Sequence, residues 1–143
     1  MLFFMVFAVV GLALSKNCTT SGVMSISDLK GEPTQQNLFV PNDYIFASHE
    51  VSVFTYSENG TLEKFKSGTY LNVNDVGQLV MEPSPHPGFS LVDISGPDTK
   101  AQRLYYKNSN VFYLCRDKSV DFRSACEGAR PVAVVFQSIC PKE

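Results

Sequence analysis

The chain has no tryptophan, only two histidines and only four cysteines in 143 residues, and each shortage removes a class of chemistry. Zinc sites draw their ligands from paired spacings such as Cys-x-x-Cys or His-x-x-x-His. His49 and His86 stand alone, and Cys115, Cys126 and Cys140 are spaced too widely for either pattern. No metal or cofactor is expected. A Cys–His nucleophile needs a free thiol, which an even cysteine count in an exported chain disfavours. Ser48 and Ser90 lie close in sequence to the histidines, yet no Gly-x-Ser-x-Gly elbow frames them. No glycine-rich phosphate loop is present. Paired carboxylates for sugar hydrolysis are defined by spatial separation. Glu50, Glu82 and Asp93 are read instead as solvated turn or strand-edge residues. The expectation is a protein that is not an enzyme, with no catalytic residue.

Charge of one sign is lacking too. Twelve Lys and Arg face 14 Asp and Glu, interspersed, for a net charge of -2. No basic stripe offers itself to nucleic acid, and no polybasic cluster to an anionic membrane. The one long apolar run is the opening MLFFMVFAVVGLALS. It falls short of the ~20 residues a membrane helix needs. It ends in small residues before Lys16, the shape of a secretory signal peptide. Residues 1–15 are therefore expected to be cleaved near Ser15, leaving an extracellular protein with no membrane span. Two glycosylation acceptors follow, Asn17-Cys18-Thr19 and Asn59-Gly60-Thr61. The second reads as a tight turn between strands.

What is present is a run of short strands. Residues 16–43 are rich in Ser, Thr, Gly, Pro and Asn and read as an irregular lead-in, with one short strand near Val23–Ser27. Residues 44–143 read as a β domain ending in a cysteine-rich module. Its apolar runs are Tyr44–Ala47, Val51–Tyr56, Leu62–Phe65, Tyr70–Val73, Gln78–Met81, Phe89–Asp93, Arg103–Tyr106, Val111–Leu114 and Pro131–Phe136, each cut off by turn residues. Only Asp117–Gly128 has room for a helical turn. Strands of this length at such spacing predict an all-β fold. A weak strand–turn–strand–Phe echo adds a trefoil option. The expected fold is a single compact domain of about ten short strands, β-trefoil-like or a β-sandwich or barrel, stapled by disulfides.

Aromatics such as Phe54, Tyr56, Tyr70 and Phe89 are expected mainly in the core. The adjacent pairs Tyr105-Tyr106 and Phe112-Tyr113 place one ring on each side of a strand. These four are the candidate polymer-contact positions.

The segment VFYLCRDKSVDFRSACEGARPVAVVF and its closing Cys140 resemble the C-terminal four-cysteine module of fungal cell-wall mannoproteins of the PIR type. Phe112-Tyr113-Leu114-Cys115 matches the first element, Cys126 the second, and Val132–Cys140 the third. Upstream, SGTYLNVNDVGQLVMEPSPHPGFSL is similar to the middle of that module. The family's Gln-Asp-Gly-Gln repeats are absent, and Phe89 stands where the family carries tryptophan. The resemblance implies a fungal wall or secreted surface protein, structural or adhesive, with wall polysaccharide or other wall proteins as partners, some through disulfides. It also implies staple roles for Cys18, Cys115, Cys126 and Cys140. Four cysteines allow three pairings. Joining Cys18 to one of the C-terminal cysteines closes the longest loop and ties down the lead-in. The alternatives are a secreted binding module for a carbohydrate, a lipid or a host protein and, third, a small secreted hydrolase.

Overall fold

A computed structural model describes residues 21–94, 101–122 and 126–139. Its strands are β1 (Ser21–Ser27), β2 (Pro33–Phe39), β3 (Phe46–Ser48), β4 (Val53–Ser57), β5 (Thr61–Lys64), β6 (Tyr70–Val73), β7 (Leu79–Glu82), β8 (Phe89–Asp93), β9 (Ala101–Tyr106), β10 (Phe112–Leu114), β11 (Val120–Asp121) and β12 (Arg130–Ser138). The fold is all-β, and all twelve strands join one antiparallel sheet.

The pairings repeat every four strands. Ladders join β12 to β1, β4 to β5 and β8 to β9. Two more join β1 to β4 and β9 to β12. The equivalent place between β5 and β8 has no ladder; the Phe89 N–H reaches the Gly60 carbonyl at 3.0 Å instead. The sheet is therefore not closed. The remaining strands form three hairpins, β2–β3, β6–β7 and β10–β11. This connectivity is trefoil-like.

The three hairpins meet. Single bridges link Tyr44 to Val80, Phe46 to Ser119 and Gln78 to Asp121. Backbone hydrogen bonds reinforce each contact: Met81 N–H to Asp43 O at 2.8 Å, Ala47 N–H to Lys118 O at 2.8 Å, and Phe122 N–H to Gly77 O at 2.8 Å. Each hairpin also buries an apolar pair completely or almost so: Leu38 with Ile45, Leu71 with Leu79, and Phe112 with Val120. Behind them lie Met24 and Ile26 of β1, Phe54 of β4, Leu62 of β5, Leu104 of β9 and Phe136 of β12. Fully burying side chains of this size contributes about 1.5–3 kcal/mol each.

The lead-in holds the strand expected near Val23–Ser27, as β1, and is otherwise more regular than expected. Residues 21–39 hold two seven-residue strands, and β1 pairs with β12, β4 and β2. The polar sequence PTQQNLF hides β2, because among its residues only Leu38 is fully buried. Its ladder to β1 also shifts register between Ile26 and Ser27, next to Gln35 at φ 63°. Ladder hydrogen bonds hold this strand without an alternating apolar face. Between Asp117 and Gly128, the one segment with room for a helical turn, the described residues form turns and bends and the two-residue β11. The Asn59-Gly60 turn is present: the Gly60 N–H bonds Ser57 O at 2.9 Å, with φ 89° at Gly60. Positive φ there suits glycine.

Gly22 sits where β1 presses on β12, and a Cβ there would overlap the Gln137 carbonyl oxygen. Gly68 also has positive φ, but open space surrounds its Cβ position. Gly22→Ala is expected to cost about 3 kcal/mol through overpacking against backbone. Gly68→Ala is expected to cost about 1 kcal/mol, from backbone conformation alone. Urea unfolding of both variants measures the contrast.

Candidate functional site

Where the hairpins converge, the surface opens into a hollow of about 210 Å³. Tyr44, Ile45 and Phe46 line it from the β2–β3 hairpin, and Gln78 and Leu79 from β6–β7. Asp117, Ser119 and Asp121 line it from β10–β11. Local turn chemistry sets these side chains. The Tyr44 N–H bonds Asn42 Oδ1 at 2.9 Å, and the Tyr44 residue stays 46% exposed. Asn74 Oδ1 accepts the N–H groups of Val76 at 3.1 Å and Gln78 at 2.9 Å. Its Nδ2 donates to Gln78 Oε1 at 3.0 Å, which orients the Gln78 amide. Asp117 Oδ1 accepts the Ser119 N–H at 2.9 Å and the Ser119 hydroxyl at 2.6 Å. The hydroxyl bond most, and the amide bond with it, holds the Asp117 carboxyl below its ordinary range.

Asp121 is 6% exposed. Burial, then the nearby Asp117 charge, pushes its pKa from 3.8 up to about 6. Its Oδ2 lies 3.6 Å from Cys115 Sγ. Cys115 is joined to Cys126 in a disulfide, and a disulfide sulfur has no proton to give. The contact is a hydrogen bond when the carboxyl is protonated and donates to sulfur. The ligand-type atoms of Cys115, Cys126 and Asp121 lie within 4.8 Å of one another. With both sulfurs bonded to each other, neither is the thiolate that metals take from cysteine.

A second hollow, of about 370 Å³, opens beside the disulfide and is lined by Cys115, Arg116, Asp117, Cys126 and Glu127. The Arg116 N–H bonds Glu127 O at 2.9 Å, and the two side chains form an exposed ion pair at 3.5 Å. Asp117 borders both hollows.

Two of the four candidate contact aromatics are corrected by the structure. Tyr106 is 3% exposed and Phe112 0%, so neither can meet a polymer. Strand alternation turned them inward, where rings pack in a chain: His86 stacked on Tyr106 at 5.7 Å, Tyr106 edge-to-face with Phe122 at 4.8 Å, and Phe122 edge-to-face with Phe112 at 5.6 Å. The Tyr106 hydroxyl and His86 Nε2 are 2.7 Å apart. Their partners Tyr105 and Tyr113 are half-buried. The two are placed in different surroundings. Tyr105 lines a hollow with Val92, Asp93, Ile94 and Arg103, whereas Tyr113 stands across the ladder from Asp121.

Asn59 is exposed on its turn, and the Thr61 hydroxyl donates to its Oδ1 at 2.9 Å. Ser48 accepts the Glu50 N–H at 3.0 Å, and Asp93 accepts the Gln102 amide at 3.0 Å. Cys18, Cys140 and Asn17 lie outside the described residues. Sequence reasoning did not single out Tyr44, Gln78, Asp117, Ser119 or Asp121. They come from three hairpins and meet only through the threefold arrangement. The chain matches no family model, no curated protein and no solved structure.

The raised pKa of Asp121 makes stability depend on pH. The group is neutral in both folded and unfolded chains below pH 3.8, and the folded chain resists ionising it until about pH 6. Its contribution to stability is full below the unfolded pKa and is lost as pH rises through the folded one. Asp121→Asn is expected to match the parent near pH 3.5 and to exceed it by about 1–2 kcal/mol at pH 7, after allowance for solvent screening. Denaturant titrations across that range give the difference.

Proposed function

We propose that the protein is a secreted, non-catalytic cell-wall or cell-surface protein of a fungus that binds carbohydrate where its three hairpins meet. The observation that carries this reading is the half-exposed Tyr44 ring beside oriented polar groups of Gln78, Asp117 and Ser119. An aromatic face suits the C–H side of a sugar ring, and carboxylate and amide oxygens suit its hydroxyls. The resemblance of the cysteine-rich end to wall mannoproteins supports the location. So does the signal-like opening, and a disulfide persists best in an oxidising compartment. Wall polysaccharide and neighbouring wall proteins are the partners; nucleic acid is not. Asn59 is an exposed acceptor for a glycan.

With Cys115 and Cys126 joined, Cys140 is the C-terminal cysteine left for Cys18. The described chain ends favour that pairing, because the Ile139 N–H bonds Ser21 O at 3.3 Å. Non-reducing peptide mapping is expected to recover Cys18 linked to Cys140.

A glycan array including β-glucan, mannan and chitin fragments tests the binding reading. One class is expected to bind, with Tyr44→Ala or Gln78→Ala weakening it about tenfold, or ~1.4 kcal/mol, and Tyr105→Ala leaving it unchanged. A blank array, or binding indifferent to Tyr44 and Gln78, sinks the carbohydrate site. Sequential extraction of walls with detergent, reductant, mild alkali and glucanase tests the location. Recovery entirely in the culture medium would sink the wall reading.

A further inference from the structure

The disulfide is built asymmetrically. Both cysteines border the open 370 Å³ hollow, but Cys115 is 4% exposed whereas Cys126 is only half-buried. Thiol–disulfide exchange needs the attacking thiolate to reach one sulfur while the other departs. Access selects Cys126 as the sulfur attacked, which makes Cys115 the leaving group. The departing sulfur is the one with a carboxyl oxygen 3.6 Å away.

We propose that Cys115–Cys126 is an exchange site for a cysteine thiol of another protein, with Asp121 as the acid that protonates the departing Cys115 sulfur. The incoming thiol first loses its proton to solvent. Its sulfur bonds to Cys126 Sγ, the Cys115–Cys126 bond breaks, and that electron pair leaves on Cys115 Sγ. Asp121 then transfers its proton to Cys115. One disulfide is consumed and one is formed, so no oxidant is required. The products are a mixed disulfide at Cys126, a thiol at Cys115 and an ionised Asp121, which takes its proton back from water. Reattack by Cys115 reverses the tether. This site stands independently of the carbohydrate reading.

Two features make Asp121 suited to the step. Its pKa of about 6 lies below that of an ordinary thiol, ~8.5, so the proton moves downhill to the new thiolate. It also stays protonated on the acid side of neutrality, where an ordinary carboxyl is ionised. Once ionised it opposes a second negative charge on sulfur, so loss of its proton slows the step twice over. The groups around it are Asp117 and Ser119 on its own hairpin, Tyr113 on β10, Gln78 and Tyr44 from the other hairpins, and the Arg116–Glu127 pair beside the disulfide.

The test uses the full oxidised chain and glutathione as the thiol, between pH 5 and 8, with acid quench and peptide mapping. The adduct is expected on Cys126 and not on Cys115. The rate per unit of glutathione thiolate is expected to fall roughly tenfold or more with an inflection near pH 6, as a positioned acid loses its proton. Asp121→Asn is expected to flatten that profile. Asp117→Asn, a change at an exposed residue, is expected to move the inflection to lower pH. Adduct on Cys115 or equally on both sulfurs, a profile unchanged in both variants, or reaction only as fast as global unfolding overturns the proposal. The adduct position in the unmodified chain is decisive even if Asp121→Asn folds poorly.

Discussion

The cycle of backbone hydrogen bonds among the three hairpins is the constraint on which the rest depends. β7 donates to the residues before β3 through Met81 and Asp43, β3 meets the lead into β11 through Ala47 and Lys118, and Phe122 after β11 returns to Gly77 before β7. The bridging segments are one or two residues long, too short for ladders. Their groups find partners only if all three hairpins arrive together. A buried backbone group left unpaired costs about 1–3 kcal/mol. The apolar pairs beneath the cycle supply the drive to arrive, and the cycle supplies the register. The hollow lies above that joint, and residues of all three hairpins line it.

The joint also explains a carboxylic acid in a place that suits neither water nor hydrocarbon. Asp121 occupies a bridge position opposite Gln78, where its backbone is required for the cycle. Its side chain is left between a disulfide and the Asp117 turn. Burial and the Asp117 charge both oppose ionisation. Asp117 goes the other way because a hydroxyl and an amide serve it while it stays exposed. Two carboxyls in one hairpin are thus driven apart by solvation and hydrogen bonding, one toward the neutral acid and one toward the anion. Separated acidities of this kind accompany sites with chemistry as well as structural networks.

The strands were legible wherever they carried apolar alternation and turn punctuation. β6 and β8 lie at Tyr70–Val73 and Phe89–Asp93, the bounds that pattern predicts. β2 was not legible, because its pairing with β1 and β3 is held by backbone and its sequence is polar. β11 was too short to show a period. For Tyr105-Tyr106 and Phe112-Tyr113 alternation did say that one ring of each pair turns inward. It could not say which, since that depends on the face each strand presents to the core. The site was invisible for a different reason. Tyr44, Gln78 and Asp121 are far apart in sequence and belong to no shared motif. Only the repeat of four-strand pairings brings them together.

The three hairpins are alike in connectivity and unlike in strength. β6–β7 pairs over four positions and β2–β3 over three, but β10–β11 over two. Among the described residues this shortest hairpin is also the one bearing a disulfide. The staple therefore compensates where the ladder is weakest, by removing freedom that two paired positions cannot remove. Asp117 and Ser119 lie inside the stapled loop and also form a wall of the hollow between the hairpins. A ligand that holds that wall and a thiol that opens the staple would act on one turn with opposite preferences for its order. Thermodynamic linkage then requires the effect to be mutual: whatever exchange at Cys126 does to ligand affinity, ligand binding does to the exchange equilibrium by the same factor.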